Sequence, residues 1–249
     1  AIMIISGYSP WLATVAAFAG GAVAGMLTGL LHTKGKINGL LSGILMMIAL
    51  HSINLRIMGA PNLSVARLET VFTFVKVIPH MLILVIVIKL LLDAFFKTDL
   101  GLALRATGDN PRMIESLGAN TDMTKIIGVS MSNGLVALSG ALIAQEQGFA
   151  NISMGIGMIV IGLASVIIGE AIFGAKTVFR ATLAVILGSI VYRLVVALAL
   201  RVPWLNAQDL KLITAVIVII ALVLPTFQRS WKQASVARRR TEELSGGDT

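Results

Sequence analysis

The sequence is dominated by runs of apolar residues that are separated by short polar segments. A helix needs roughly 20 apolar residues to cross the hydrocarbon core of a bilayer. Only 13% of the residues are charged, whereas a soluble domain carries roughly a quarter, so lipid is the expected surrounding of these runs. They predict seven membrane-spanning helices, at about Pro10–Leu31, Ile37–Leu55, Val77–Phe96, Ile126–Gln145, Ser153–Gly169, Ala181–Leu200 and Leu212–Phe227.

This pattern predicts an all-α fold, a polytopic transmembrane helical bundle of about seven or eight spans. Residues 1–230 are expected to form one transmembrane domain, and residues 231–249 a basic cytoplasmic tail. Residues 1–5 are apolar from the start and follow no basic leader, so we expect that an N-terminal span is missing before them. No segment is long enough for a soluble module, and any catalytic engine is therefore expected on a separate chain.

The positions of Lys and Arg predict the orientation of the spans. Basic residues concentrate in segments 32–36, 97–125 and 170–180 and in the C-terminal tail. Cytoplasmic loops carry an excess of Lys and Arg, so these segments are predicted to be cytoplasmic in a multi-pass membrane protein. The net charge of +8 then reflects topology, and no nucleic-acid partner is expected because no soluble basic domain is present.

Segment 97–125 carries the signals of a short helix outside the membrane. Asn110 can cap the free backbone N–H groups, and Pro111 suits the first helical position. Glu115 adds a favourable negative charge near the N-terminus, and Gly118 suits the stop. These signals predict a helix over Pro111–Leu117.

This predicted helix is amphipathic and too short to be stable alone. Met113, Ile114 and Leu117 are expected on one face, because residues three and four positions apart are neighbours. A helix of two turns needs a partner surface in water. That surface is either a groove on another protein or the lipid interface, and the absence of a cationic polar face favours the protein.

The run Ala103–Gly118 resembles the cytoplasmic coupling loop of permeases from ribose and branched-chain amino acid importers of the ABC type. Beyond this loop, the chain is similar to the permeases of bacterial tryptophan/tyrosine ABC transport systems. The likeness covers nearly the whole chain except the tail. It is carried by His32–Asn38, Ile53–Gly59, Ala103–Thr121, Ser132–Ala141 and Gly155–Glu170.

The resemblance implies a permease subunit of an ATP-driven, binding-protein-dependent importer that passes a small solute, with an aromatic amino acid as one candidate. It implies three partners besides membrane lipid: a second copy of the chain, a cytoplasmic dimer of ABC ATPases, and an extracytoplasmic solute-binding protein. Carried over to this sequence, it assigns ATPase docking to a coupling helix made of Asn110, Pro111, Arg112, Met113, Ile114, Glu115, Ser116, Leu117 and Gly118.

Catalytic and metal-binding patterns are absent from the sequence. It has no GxxxxGK[ST] phosphate-binding loop, so ATP and Mg are expected on the partner ATPase and the chain is not expected to be an enzyme. It has no cysteine, and its three histidines are scattered, so no cofactor or metal site is predicted in this chain.

Polar residues inside the predicted spans are candidates for a translocation path. Ser132, Asn133 and Ser139 give a polar side to the span after the coupling loop, where they either line the path or bond between helices. Arg193 lies near the centre of its span, where a charge is costly and is a functional candidate by default.

Two features point to close helix packing. Gly21, Gly25 and Gly29 form GxxxG steps, which allow two helix backbones to approach closely within the chain or between copies. Lys89 and Asp93 are four residues apart and are expected to pair on one helix face.

Two other functions remain open from the sequence. An ion-coupled secondary transporter would need a buried acidic residue at mid-membrane, and no strong one is present. A membrane scaffold that transports nothing is the second alternative, and a stable complex with an ATPase would argue against it.

Overall fold

The computed structural model of the chain describes residues 1–73, 76–156, 158–199 and 201. The chain divides into two compact units, Ala1–Met154 and Gly155–Thr249. Two short strands, β1 (Asn62–Ser64) and β2 (Phe149–Asn151), accompany the helices of the described residues. These helices are α1 (Ile2–Ile5), α2 (Pro10–Thr33), α3 (Gly39–Met58), α4 (Val77–Phe95), α5 (Asp99–Asp109), α6 (Pro111–Ser116), α7 (Thr121–Gln147), α8 (Met158–Phe173) and α9 (Val178–Ala199).

Five helices of the described residues are long and apolar enough to cross a membrane: α2, α3, α4, α7 and α9. Each lies where the sequence predicts a span. The predicted span Ser153–Gly169 corresponds to α8, which begins later, at Met158, and has only 16 residues. The predicted span Leu212–Phe227 and the tail 231–249 lie outside the described residues.

The first unit is organised around the antiparallel pair α2 and α7, which touch backbone to backbone. A Cβ atom placed on Gly25 would lie 2.6 Å from the carbonyl oxygen of Val129, and one on Gly29 would lie 2.9 Å from the Cα of Ile126. The hydroxyl of Ser130 also donates to the carbonyl oxygen of Ala22 at 2.7 Å. The glycine steps of α2 therefore serve packing within the chain.

The first unit has two ends that differ in structure. The end that holds α5, α6, the last turn of α2 and the first turn of α7 is called the α6 end. The opposite end is called the sheet end, because β1 and β2 pair there as antiparallel strands. This pairing is not part of the all-α prediction. Strands of three residues leave no periodic signal, and these two are brought together only by the helices between them.

The second unit contains α8 and α9, which cross at a pair of glycines. A Cβ atom on Gly188 would lie 2.6 Å from the backbone nitrogen of Gly169. Ala164 of α8 is fully buried and packs with the buried ring of Tyr192 of α9. Small residues thus set the contact between these two helices, as in the first unit.

We expect Gly25→Ala to destabilise the protein by about 1–3 kcal/mol, because the added methyl group would overlap the backbone of α7. Gly20→Ala is the matched control, since a Cβ there meets no described atom within 4 Å. Thermal unfolding of the two variants in detergent would measure the difference. Equal melting temperatures would contradict the close approach of α2 and α7.

Candidate functional site

The short helix α6 begins and ends with the capping contacts that the sequence predicts. The side-chain oxygen of Asn110 accepts a hydrogen bond from the backbone N–H of Met113 at 3.2 Å. At the other end, Gly118 has a φ of +84°, and the backbone N–H of Ala119 donates to the carbonyl oxygen of Ile114 at 3.2 Å. The positive φ of Gly118 and the bond from Ala119 to Ile114 are those of a Schellman motif at the C-terminus of α6. The helix ends at Ser116, one residue earlier than predicted.

The apolar side chains of α6 point in two directions. Ile114 is 7% exposed, whereas Met113 and Leu117 are 57% and 71% exposed. At 3.6 residues per turn, the three positions fall within an arc of about 100°, with Ile114 at one edge, about 60° from Leu117 and about 100° from Met113. The packing buries that edge, so only Met113 and Leu117 of the predicted face remain exposed. Ile114 fixes the helix to the protein, and the other two face away from it.

A hydrogen bond between side chains joins α6 to the first turn of α7. The hydroxyl of Thr121 donates to the carboxylate oxygen Oε1 of Glu115 at 2.6 Å. The side chain of Asn120 caps α7 by accepting from the backbone N–H groups of Asp122 and Met123, at 3.0 and 3.1 Å. Glu115 thus ties the short helix to the long one, in addition to its place near the helix N-terminus.

The sequence reading missed α5, because it treated the residues before Asn110 as a loop. The hydroxyl of Thr98 caps this helix by accepting from the N–H of Gly101 at 3.2 Å, and Asp99 lies in the first turn. Thr98 before an apolar stretch is a cap signal that could have revealed it. The buried hydroxyls of Thr107 and Thr124 lie 3.0 Å apart and hold α5 against α7.

Of the remaining predicted docking residues, Pro111 is half-buried, whereas Arg112 and Ser116 are exposed. Arg112 and Ser116 lie at the surface of α6, and the hydroxyl of Ser116 donates to the carbonyl oxygen of Met113 at 2.7 Å. The α6 end is also more basic than the sheet end. Basic residues of the described loops and helix termini are Lys34, Lys36, Lys97, Arg105, Arg112 and Lys125 at the α6 end, and Arg56, Arg67 and Lys76 at the sheet end.

The four residues proposed for the translocation path occupy different surroundings. Asn133 of α7 faces α2, where its Cβ lies 2.9 Å from the Cβ position of Gly25. Ser132 and Ser139 are seven residues apart on α7 and share an exposed face, and Ser139 also borders an apolar cavity of about 330 Å³ between α4 and α7. Arg193 belongs to the second unit and is exposed on α9.

The expected ion pair on α4 is confirmed. The ammonium group of Lys89 contacts the carboxylate of Asp93, and both side chains are buried. A buried charge in an apolar helix is costly unless it is paired, so the pairing explains how α4 carries both residues.

Two histidines of the first unit, His80 and His32, serve packing and a turn, and His51 is exposed on α3. The ring of His80 lies 5.7 Å from that of Trp11 and 6.3 Å from that of Phe72. The Nδ1 atom of His32 lies at hydrogen-bonding distance, 2.8 Å, from the carbonyl oxygen of Ile37. Within the described part of the chain, no three metal-ligating side chains of His, Asp or Glu come together.

A buried polar contact at the sheet end had no signal in the sequence. Gln145 of α7 is 5% exposed. Its oxygen Oε1 accepts from the backbone N–H of Val71 at 3.2 Å, and its nitrogen Nε2 donates to the hydroxyl of Thr14 at 2.9 Å. The three residues are distant in sequence, so only the packing of the helices reveals the contact. A polar cleft of about 460 Å³ beside it is lined by residues 66–70, Thr73 and residues 145–148.

Comparisons with known proteins agree with the resemblance found in the sequence. Residues 1–223 match the family described as branched-chain amino acid transport system, permease component. The chain is 44% identical over 237 residues to the tyrosine transport system permease protein of Clostridioides difficile (strain R20291), which covers 94% of this chain and 80% of that protein.

A second relative is the uncharacterized protein RP368 of Rickettsia prowazekii (strain Madrid E). It is 34% identical over 220 residues, which cover 84% of this chain and 77% of that protein. No solved structure matches the chain. The family match extends over all the described helices, five of which have the length and composition of membrane spans. The chain is therefore a multi-pass membrane protein that belongs to the family of permease components of branched-chain amino acid transport systems.

Proposed function

We propose that the chain is the permease subunit of an ATP-driven, binding-protein-dependent importer of the bacterial inner membrane. The observation that carries this proposal is the construction of α6. It is a capped helix that is fixed to the protein through Ile114 and Glu115, while Met113 and Leu117 remain exposed. A helix that is attached to its own chain on one side and exposes apolar side chains on the other is suited to docking into a groove of another protein.

The exposed apolar surface of α6 is small enough for a partner protein to bury it completely. Complete burial of a Leu or Met side chain stabilises by about 1.5–3 kcal/mol each. Met113 and Leu117 would supply this apolar contact, and Arg112 beside them would supply a positive charge at its rim. The partner is an ABC ATPase, which holds ATP and Mg, and this chain supplies the surface through which the ATPase acts.

The attachment of α6 determines what a docked partner could move. Glu115 bonds to the first turn of α7, and α5 is held to α7 through Thr107 and Thr124. A partner that pulls on α6 therefore acts on α7 directly. The ATPase would shift the permease between its outward- and inward-facing states only through contacts that differ between those states.

The basic residues of the α6 end support a cytoplasmic position for this end. Positive charge favours the cytoplasmic side, so the α6 end faces the cytoplasm and the sheet end faces the solute-binding protein. The tail 231–249 is then cytoplasmic as well, as predicted from the sequence. The ion-coupled alternative has less support, because the buried carboxylate of Asp93 on α4 is paired with Lys89.

The proposed path is completed by a second copy of the chain. Ser132 and Ser139 are exposed on one face of α7 in the single chain, as residues that line a path between two subunits would be. Arg193 is exposed on α9 and is retained as a candidate. Asn133 packs against α2, which favours its other predicted role, in the contact between helices.

The proposed substrate is an aromatic amino acid. The support is the 44% identity to a protein whose name is tyrosine transport system permease protein. The binding protein delivers the solute and contributes much of the selectivity, so the permease is expected to pass the amino acids that its binding protein holds.

Leu117→Asp is expected to reduce the amount of ATPase that copurifies with the permease by about tenfold or more, because a charge would replace an apolar contact. The same loss is expected in solute uptake. Leu100→Asp is the matched control, since Leu100 is 58% exposed on α5 and not on α6. Both substitutions would be checked for normal expression and melting temperature. Unchanged copurification and uptake in Leu117→Asp would contradict docking through α6.

Single cysteines can test the orientation, because these 249 residues contain none. In spheroplasts, a membrane-impermeant maleimide is expected to label Glu69→Cys at once and Ser116→Cys only after the membrane is permeabilised. The reason is that residue 69 belongs to the sheet end and residue 116 to α6. The reverse pattern would place α6 outside the cell and would exclude an ATPase as its partner.

The substrate can be tested through the binding protein that copurifies with the transporter. Mass spectrometry of its bound ligand is expected to identify tyrosine or tryptophan, and an excess of either is expected to block uptake of labelled tyrosine in proteoliposomes with ATP. Leucine at the same concentration is the control and should have little effect. Bound leucine or isoleucine would contradict the aromatic assignment and leave the importer mechanism intact.

A further inference from the structure

The segment between β1 and α4 is held to the end of α7 at two places. The N–H of Val65 donates to the carbonyl oxygen of Gly148 at 2.8 Å, and the N–H of Val71 donates to the side chain of Gln145 at 3.2 Å. Val65 and Val71 are 1% and 6% exposed. Residues 65–73 therefore form a short cover on the sheet end, closed by one main-chain bond and one side-chain bond.

Gln145 joins this cover to two helices at once. It belongs to α7, and its Nε2 atom donates to Thr14 of α2 at 2.9 Å. Its side chain is buried. A buried side-chain amide that bonds to a loop and to a neighbouring helix fixes the position of the loop relative to both helices.

The polar cleft described above lies between residues 66–73 and the last turn of α7. Arg67, Glu69 and Glu146 are exposed at its walls. Because one wall is the cover and the other is α7, any change in the distance between them changes the opening of the cleft. The bond from Gln145 to Val71 crosses that gap.

The helix α7 connects this contact to α6. It has 27 residues, and thus spans roughly 40 Å at 1.5 Å per residue. The close approach of Gly25 and Gly29 to its backbone locks it against α2. Glu115 of α6 is bonded to Thr121 at one end of α7, and Gln145 lies at the other.

We propose that Gln145 is a positioning residue that holds residues 65–73 closed against the α2–α7 pair, and that α7 carries a displacement of α6 to this contact. The cleft at the sheet end then opens and closes with the state of the partner at the α6 end. This inference rests on the proposed function, because it takes α6 as the place where an ATPase acts.

The experiment uses the complete transporter in membranes with its ATPase. Val71→Cys places a single thiol at a buried position of the cover, and its labelling rate by a soluble maleimide reports how often the cover opens. Gln145→Leu in this background is expected to raise the rate about tenfold, because the bond to the buried N–H of Val71 is lost together with the bond to Thr14. Gln147→Leu is the matched control, since Gln147 is exposed on the same helix and lines the same cleft.

Thr14→Val gives a second and milder variant, in case Gln145→Leu does not fold. It removes one of the two acceptors of the Gln145 amide, whose Nε2 atom also donates to the carbonyl oxygen of Ala141 at 3.3 Å. Residues 65–73 are unchanged, and an increase of about threefold is expected. Equal labelling rates for these variants and the Gln147→Leu control would overturn the positioning role of Gln145.

The link along α7 is tested by trapping the ATPase with ATP and vanadate. Trapping is expected to change the labelling rate of the Val71→Cys protein by at least about threefold, and Leu117→Asp is expected to abolish that change. If the labelling rate of Val71→Cys is the same with and without trapping in a transporter with normal uptake, the proposed link along α7 is overturned. If the proposed function itself fails, no ATPase copurifies, and the comparison of Gln145→Leu with Gln147→Leu still decides the role of Gln145.

Discussion

The close contact between α2 and α7 is the constraint on which the first unit depends. In a bilayer, apolar side chains gain little free energy when they move from lipid into a helix contact. Helices therefore associate through close packing and hydrogen bonds. Gly25 and Gly29 bring the backbones together, and the hydroxyl of Ser130 bonds to α2 in the space so created. The α6 end and the sheet end are both built on this pair.

Polar groups in the apolar helices are satisfied locally or by this packing. The hydroxyls of Thr28 and Thr33 donate to carbonyl oxygens one turn earlier on α2, at 2.8 and 2.9 Å. Lys89 and Asp93 neutralise each other on α4. Among the described residues, no buried side-chain nitrogen or oxygen lacks a hydrogen-bond partner. The few polar side chains that join different elements, such as Gln145 and Glu115, therefore mark places where the relative position of those elements is held.

The two ends of the unit differ in the way their loops are secured. At the α6 end, α6 is held by its Asn110 cap and by the carboxylate of Glu115, and Met113 and Leu117 remain exposed. At the sheet end, β1, β2 and residues 65–73 fold back on the terminus of α7. The first arrangement suits contact with another protein, and the second suits a cover that separates from the helices beneath it.

Much of this organisation was predictable because it depends on local chemistry. The apolar runs predicted the five long helices, and Asn110, Pro111 and Gly118 predicted α6 to within one residue. These signals act within a few residues of each other, through backbone solvation, capping and helix length. The cap at Thr98 is a local signal of the same kind. The sequence therefore contained a signal for α5, although the prediction did not include this helix.

Other features were decided by the tertiary structure alone. Whether the glycines of α2 faced a helix of the same chain, and which of Met113, Ile114 and Leu117 turned inward, depended on the packing of α6 and α7. The contacts of Gln145 with Thr14 and Val71, and the pairing of β1 with β2, join residues that are far apart in the chain. The sequence by itself determined which segments become helices and where they end, because those choices are local. Only the tertiary structure decided which faces meet, because that depends on the shape of distant segments once they are packed together.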